Sequence, residues 1–283
     1  MKFKILLFSI LFSTGCSSEK GDNDWAKDNL RGEVYSYSEF SYTAEDRFGV
    51  IEKNIREREN YWENDSKIIY NKHGNIIERK LYNSDGSLAK KLTLKGDENG
   101  NVIGGTWYNS DGSLAKKITF KYNEDGNAIE ENYYNADGSL AERTSLKYDE
   151  IGNIIEINWY NSDSSLAERT SLKYDEIGNI IERKLDFTHN HLDKNIKNTY
   201  DELGNLIEEN WYTYYGKLTQ KVTLKYDENG NVIERKVYDS DGKLFEDFSF
   251  KYTYDEHGNW TKRIDYLNEF PEYILEREYE YYR

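Results

Sequence analysis

The chain has 283 residues and a formal net charge of −15, with 38 Lys plus Arg against 53 Asp plus Glu. A single Cys excludes a disulfide framework and any multi-cysteine zinc or iron–sulfur site. The acidic balance argues against a phosphate-backbone binder, so no nucleic-acid partner is expected. Only 37% of residues are hydrophobic, a level that usually accompanies disorder at this charge. The 15% aromatic content and single Pro point instead to a folded, strand-rich chain.

Residues 1–15 read as a signal peptide. Lys2 and Lys4 precede an apolar run from Ile5 to Phe12, broken by Ser9 and followed by Ser13, Thr14 and Gly15. The run is well short of the roughly 20 residues that span a bilayer. Cys16 comes next, and Ser-Thr-Gly-Cys resembles the cleavage box of bacterial lipoproteins, with Ser13 where that box has Leu. The resemblance implies that Cys16 becomes the first mature residue and carries a lipid anchoring the chain to the membrane. The plain alternative is an ordinary signal peptide with an incidental Cys. Residues 16–24 then form the lipidated Cys and a flexible tether. Its early acidic residues also resemble the surface-export signal of Bacteroidota lipoproteins, which implies display on the outer membrane at the cell surface.

Residues 25–69 follow no repeat. Val34 to Thr43, Ile55 to Trp62 and Lys67 to Tyr70 read as strands, and Asp46 to Gly49 as a loop. This region is expected to be an N-terminal β cap covering the first sheet edge, because open edges aggregate.

From residue 70 the chain repeats. The motif Tyr-Asp-Glu-x-Gly-Asn starts at Tyr70, Tyr122, Tyr148, Tyr174, Tyr200, Tyr226 and Tyr254, with Gly96 standing in once. The spacing is 26 residues until the last interval, which is 28 because Tyr252-Thr253 is inserted. A second motif, Tyr-Asn-Ser-Asp-Gly-Ser-Leu, lies between, complete at residues 82–88 and 108–114 and carrying Ser164 in place of Gly in a later copy. Both motifs put Gly late in a short polar loop, which suits a type I turn followed by a left-handed residue. Between them run segments of about eight residues with period-two alternation. Repeats are assigned to residues 70–253, and the last repeat with a C-terminal cap to 254–283. In that cap Trp260 to Leu267 and Glu272 to Tyr282 are strands around a turn at Asn268 to Pro271.

Pairing Tyr108 with Ser113 sets a register for every hairpin. It places Glu78 opposite Lys91, Glu130 opposite Arg143, Glu156 opposite Arg169 and Glu208 opposite Lys221 on a solvent face. The other face carries a ladder at 26-residue intervals that includes Trp107, Tyr133, Trp159 and Trp211. The same register sets Glu131 against Glu142 there, so that face is not dry. About sixteen repeat strands at roughly 4.8 Å each make a sheet about 77 Å wide, and sheets that broad curl.

The repeated Tyr-Asp-x-x-Gly-Asn with its following apolar pair (Ile154-Ile155, Leu206-Ile207) resembles the YD repeats of Rhs and teneurin proteins over about residues 70–260. The resemblance implies an all-β architecture: an antiparallel β-hairpin repeat meander wound into a twisted, superhelical, shell-like sheet. The nearer resemblance is to small YD-repeat lipoproteins of Bacteroidota. It says little about activity.

Chemistry is sparse. His189-Asn190-His191 with Asp186 and Asp193 is a conceivable metal cluster, but a drifted turn is the simpler reading. The Asp-rich turns are shorter than a calcium-binding EF-hand loop. No catalytic residue, cofactor or metal site is assigned. The aromatic ladder reads first as packing for a single-layer sheet; Trp107, Tyr133, Trp159 and Trp211 are also the candidate ligand-stacking residues, since flat sugar rings stack on such ladders. The expected function is a lipid-anchored, non-enzymatic interaction scaffold for a protein or glycan, with a carbohydrate-binding or carbohydrate-processing accessory lipoprotein as second reading.

Overall fold

The structure, a computed structural model, describes residues 23–54, 65–97, 102–188 and 194–283. The signal peptide, Cys16, the Ile55–Trp62 strand and the His189–His191 cluster lie outside the described residues. One helical turn, α1 (Asp24–Lys27), precedes the strands. The strands are β1 (Val34–Arg47), β2 (Val50–Lys53), β3 (Asp65–Tyr70), β4 (Ile76–Tyr82), β5 (Leu88–Gly96), β6 (Val102–Asn109) and β7 (Leu114–Tyr122). Then come β8 (Ala128–Asn135), β9 (Leu140–Tyr148), β10 (Ile154–Asn161), β11 (Leu166–Tyr174), β12 (Ile180–Phe187) and β13 (Lys194–Tyr200). The last are β14 (Leu206–Thr213), β15 (Leu218–Tyr226), β16 (Val232–Asp239), β17 (Leu244–Tyr254), β18 (Trp260–Leu267) and β19 (Phe270–Tyr281).

From β3 to β19 each strand pairs antiparallel with the next. β1 pairs with β19 over Val34–Thr43 and with β3 over Ser36–Glu39. The ring therefore closes. Eighteen strands, β1 and β3–β19, make a barrel, and β2 pairs with the far end of β1 as a projecting hairpin. This corrects the open superhelical sheet expected from the repeats. An open meander would leave two unpaired edges, and closure removes both. β1 acts as the closing strand between the two ends of the meander.

Most repeats carry two bulges, which correct the expected register; the β12–β13 pairing shows none. Tyr108 pairs with Leu114, but Trp107 pairs with Lys116, so Ala115 is an extra residue. Lys121 pairs with Glu130 and Tyr122 with Ala128, so Ile129 is another. Glu130 consequently faces Ser145, while Arg143 faces Asn132. Likewise Glu78 faces Thr93, Glu156 faces Ser171 and Glu208 faces Thr223. The expected charge pairs become diagonal neighbours, of which Glu208 and Lys221 still meet at 2.5 Å. The regular ion pairs form across the opposite strand boundary. Lys121–Glu130 and Lys147–Glu156 are each 2.6 Å, Lys173–Glu182 is 2.7 Å and Lys225–Glu234 is 2.9 Å. Bonds from Lys147, Lys173 and Lys225 hold the Glu156, Glu182 and Glu234 carboxyls below their usual range.

The motif residues now have jobs. In the turn after β9, the Asp149 carboxylate accepts from the backbone N–H of Ile151 and Asn153, and Gly152 sits at φ 92°. The leading Tyr is a staple. The Tyr148 hydroxyl donates to the Ala128 carbonyl at 2.6 Å while its backbone pairs with Ile154, so one residue links β8, β9 and β10. Tyr122, Tyr174, Tyr200 and Tyr226 do the same toward the residue 20 positions back. In the last unit Tyr252 takes over this bond, to Val232, which explains how the two-residue insertion is accommodated.

A single-layer ring has a convex and a concave side, and only the concave side can bury side chains without a second layer. Leu92, Ile118, Leu146, Ile196 and Val222 share one face and are buried. The lysines of the ion-pair row, on the other face, are 64–67% exposed. The apolar face therefore lines the barrel interior and the charged face is its outside. At the closing seam the interior is densest: Val34, Tyr37, Ile68, Tyr70 and Ile76 pack with Trp25 and Leu30 of the leading segment. There Arg277 donates to Glu39 at 2.7 Å and lies 3.9 Å from the Trp260 ring.

Ser164 adopts φ 66° where equivalent turns carry Gly. Ser164→Gly is expected to relieve left-handed strain and raise unfolding stability by about 0.5–1 kcal/mol, read from the denaturation midpoint. An unchanged or lower midpoint would count against the turn assignment.

Candidate functional site

Trp107, Tyr133, Trp159 and Trp211 all belong to the interior face, near the mouth formed by the Ser-Asp-Gly turns. Each sits between two strands with different neighbours. Trp107 pairs with Leu92 and Lys116, Tyr133 with Ile118 and Glu142, Trp159 with Thr144 and Glu168, and Trp211 with Ile196 and Gln220. Apolar or Thr partners lie on one side and charged or amide partners on the other. Successive repeat positions are two strands apart, about 9.6 Å. The aromatic rungs are therefore separated platforms with hydrogen-bonding groups between them. Lys116 and Glu142, on opposite sides of Tyr133, are 49% and 48% exposed, so water reaches this part of the wall. Lys194 lies 5.1 Å above the Trp211 ring.

One row deeper the wall carries polar side chains, of which Glu131 is the buried acid. Glu131 is 1% exposed and pairs with the buried Thr144, which corrects the expected Glu131–Glu142 opposition. Loss of hydration pushes the Glu131 carboxyl up to about 7, although the Tyr133 hydroxyl donates to it at 3.2 Å. Burial, followed by the neighbouring Glu131 charge, also pushes the Tyr133 hydroxyl far above its ordinary value. Glu209 accepts from Arg183 and from the Trp211 indole N–H, both at 2.5 Å. The polar atoms of two rungs, Tyr133 and Trp211, are thus engaged downward. That leaves ring surface rather than donors as the feature offered to the interior.

This polar row was only half legible beforehand. Glu131 stands out as an acid on an apolar face, but its Thr144 partner depends on the bulge. A separate cleft of about 770 Å³ lies at the opposite end, between the 123–127 and 149–153 turns, with Asn123, Asn127, Leu146 and Tyr148 in its lining. The ladder takes no part in it. Among the described residues, no group of three or more His, Cys, Asp and Glu side chains is disposed to hold a metal ion.

No protein-family model and no curated protein matches the sequence. Among solved structures, a porin-like protein from Bacteroides uniformis aligns at 11% identity and TM-score 0.45, covering 87% of this chain and 96% of that one. A porin-like protein from Bacteroides vulgatus aligns at 14% identity and TM-score 0.40, covering 87% and 98%. The TcdB2-TccC3 complex aligns at 12% identity and TM-score 0.21, covering 83% of this chain and 18% of that one.

Glu131 gives a pH signature. Its carboxyl titrates higher in the fold than in the unfolded chain, so the fold holds the extra proton between about pH 4.5 and 7. Stability should fall as pH rises through that window and level off above it. Glu131→Gln is expected to abolish this slope and to stabilise the protein at pH 8, by on the order of 3 kcal/mol. Denaturation midpoints of both proteins at pH 4.5 and 8 check it; parallel pH profiles would contradict the burial of Glu131.

Proposed function

We propose that the chain is an exported, lipid-anchored, non-enzymatic barrel that binds a glycan on the aromatic rungs of its Ser-Asp-Gly mouth. The observation that supports this most is the alternation around that mouth: Trp107, Lys116, Tyr133, Glu142, Trp159, Glu168, then Trp211 and Gln220. Sugar rings present C–H faces to aromatic planes and hydroxyls to charged and amide groups, and this wall interleaves both. The barrel's charged exterior supports the anchor reading. A membrane-spanning barrel turns an apolar band outward, whereas here Lys–Glu pairs repeat around the outside. A barrel with such an exterior stands in water and needs a separate attachment, which Cys16 would supply.

Two measurements test the proposal. A glycan array probed with residues 20–283 should give hits that fall at least about tenfold for Trp159→Ala and Trp211→Ala, as loss of a stacking platform implies. If no glycan binds, or the variants bind normally and only melt lower, the rungs are packing. Labelling with a palmitate analogue should disappear in Cys16→Ser; retained label elsewhere would refute the anchor.

A further inference from the structure

The two ends of the barrel differ in what their turns expose. Three successive turns of the Asp-Glu-x-Gly-Asn type carry a bare aliphatic tip. Ile151 is 83% exposed, Ile177 68% and Leu203 87%. At the same position other turns of this end carry His73, Asp125, Asn229 and His257. The tips are not explained by the turn itself, because those polar side chains serve the same backbone geometry. Nor do they fill the core, since all three are largely exposed. Just below them runs a row of bulge residues, Ile77, Ile103, Ile129, Ile155, Ile181 and Ile233, at 36–39% exposure, which recurs around the ring and is not confined to the tips. The three tips, on consecutive turns, are what make one sector of this rim apolar.

The leading segment reaches the same rim. Asn23 donates to the His73 carbonyl at 3.0 Å, Trp25 N–H donates to the Gly74 carbonyl, and Asn29 donates to the Asn229 carbonyl. The chain therefore enters the barrel at the end that bears the aliphatic tips. The 71–75 turn and the 175–179 turn lie on nearly opposite sides of the ring. Cys16 stands seven residues before Asn23, a reach of at most about 25 Å.

We propose that this rim rests on a phospholipid bilayer, with Ile151, Ile177 and Leu203 inserted at the headgroup level and the Ser-Asp-Gly mouth facing away from the membrane. This rests on the lipid anchor at Cys16. The described chain reaches this rim at the 71–75 turn, across the ring from the tips, so an anchor ahead of Asn23 and the tips together would give two points of attachment. Glu150, Glu176 and Glu202 flank the tips, so a zwitterionic surface suits the rim better than an anionic one. The opposite end bears its own exposed apolar side chains, Phe48 and Val50 on the β1–β2 hairpin with Tyr214, Tyr215, Phe245 and Phe270, and so provides an internal competitor.

The test uses the full lipidated chain on phosphatidylcholine vesicles, with an environment-sensitive fluorophore on Ile177→Cys or, in a second protein, on Tyr215→Cys. Both sites are exposed turn positions, and Cys16 is blocked by its lipid. The expected result is flotation of both proteins with the vesicles, a blue-shifted emission quenched by spin-labelled lipid at position 177, and neither effect at 215. Flotation without quenching at 177 would overturn the proposal while leaving the anchor intact. Quenching at 215 in place of 177 would invert the orientation and overturn it equally. Failure to float would refute the anchor and the inference together.

Discussion

A meander of hairpins always ends in two bare edges, and in this chain the two edges satisfy each other. β1 lies between β19 and β3, supplying the last row of hydrogen bonds on both sides. Alternating strand direction permits such closure only with an even number of strands, and β1 brings the ring to eighteen. Closure also decides what is inside. Once the sheet has a concave side, its apolar row can be buried by neighbouring walls and curvature, without a second layer. The low hydrophobic content follows from the same geometry: each strand needs apolar residues on one face only, and even that face is partly wet near its mouth.

Much of this was readable in the residues. The 26-residue period, the turn glycines, the hairpins and the assignment of Trp107, Tyr133, Trp159 and Trp211 to one face all follow from alternation, which a shift of two residues does not disturb. The exact register was not readable, because Ala115 and Ile129 look like ordinary strand residues yet each adds an unpaired position. The Tyr staples were hidden for a related reason. The motif shows that Tyr148 recurs, but its bond to Ala128 needs the bulged geometry. Closure was hidden most completely, since Val34 meets Tyr281 with no motif at either site. α1 was missed as well: Asp24–Lys27 is a single turn, and its anchor points at Gly74 and Ile76 lie some fifty residues away.

The distribution of charge separates structural roles from exposed ones. Outside, highly exposed lysines pair across strand boundaries with half-buried glutamates, and each pair contributes little to stability and mainly specifies register. Inside, Glu131 and Arg277 are held by specific partners in dry surroundings, where losing one partner would leave an uncompensated group, while the Arg183–Glu209 pair is only half-buried. The aromatic rungs lie between this polar row and the open mouth. They pack on one side and meet water on the other, the position from which a ring can serve both the fold and a ligand.

Ring closure is tested most directly at the seam, where Ser38 on β1 faces Glu278 on β19. Spin labels at Ser38→Cys and Glu278→Cys, in a chain also carrying Cys16→Ser, report the separation of the first and last strands. Closure predicts neighbouring labels with strong dipolar broadening, within about 20 Å, as adjacent strands require. An unbroadened spectrum, with labels separated by many strand widths toward the roughly 80 Å of an unrolled sheet, would contradict it.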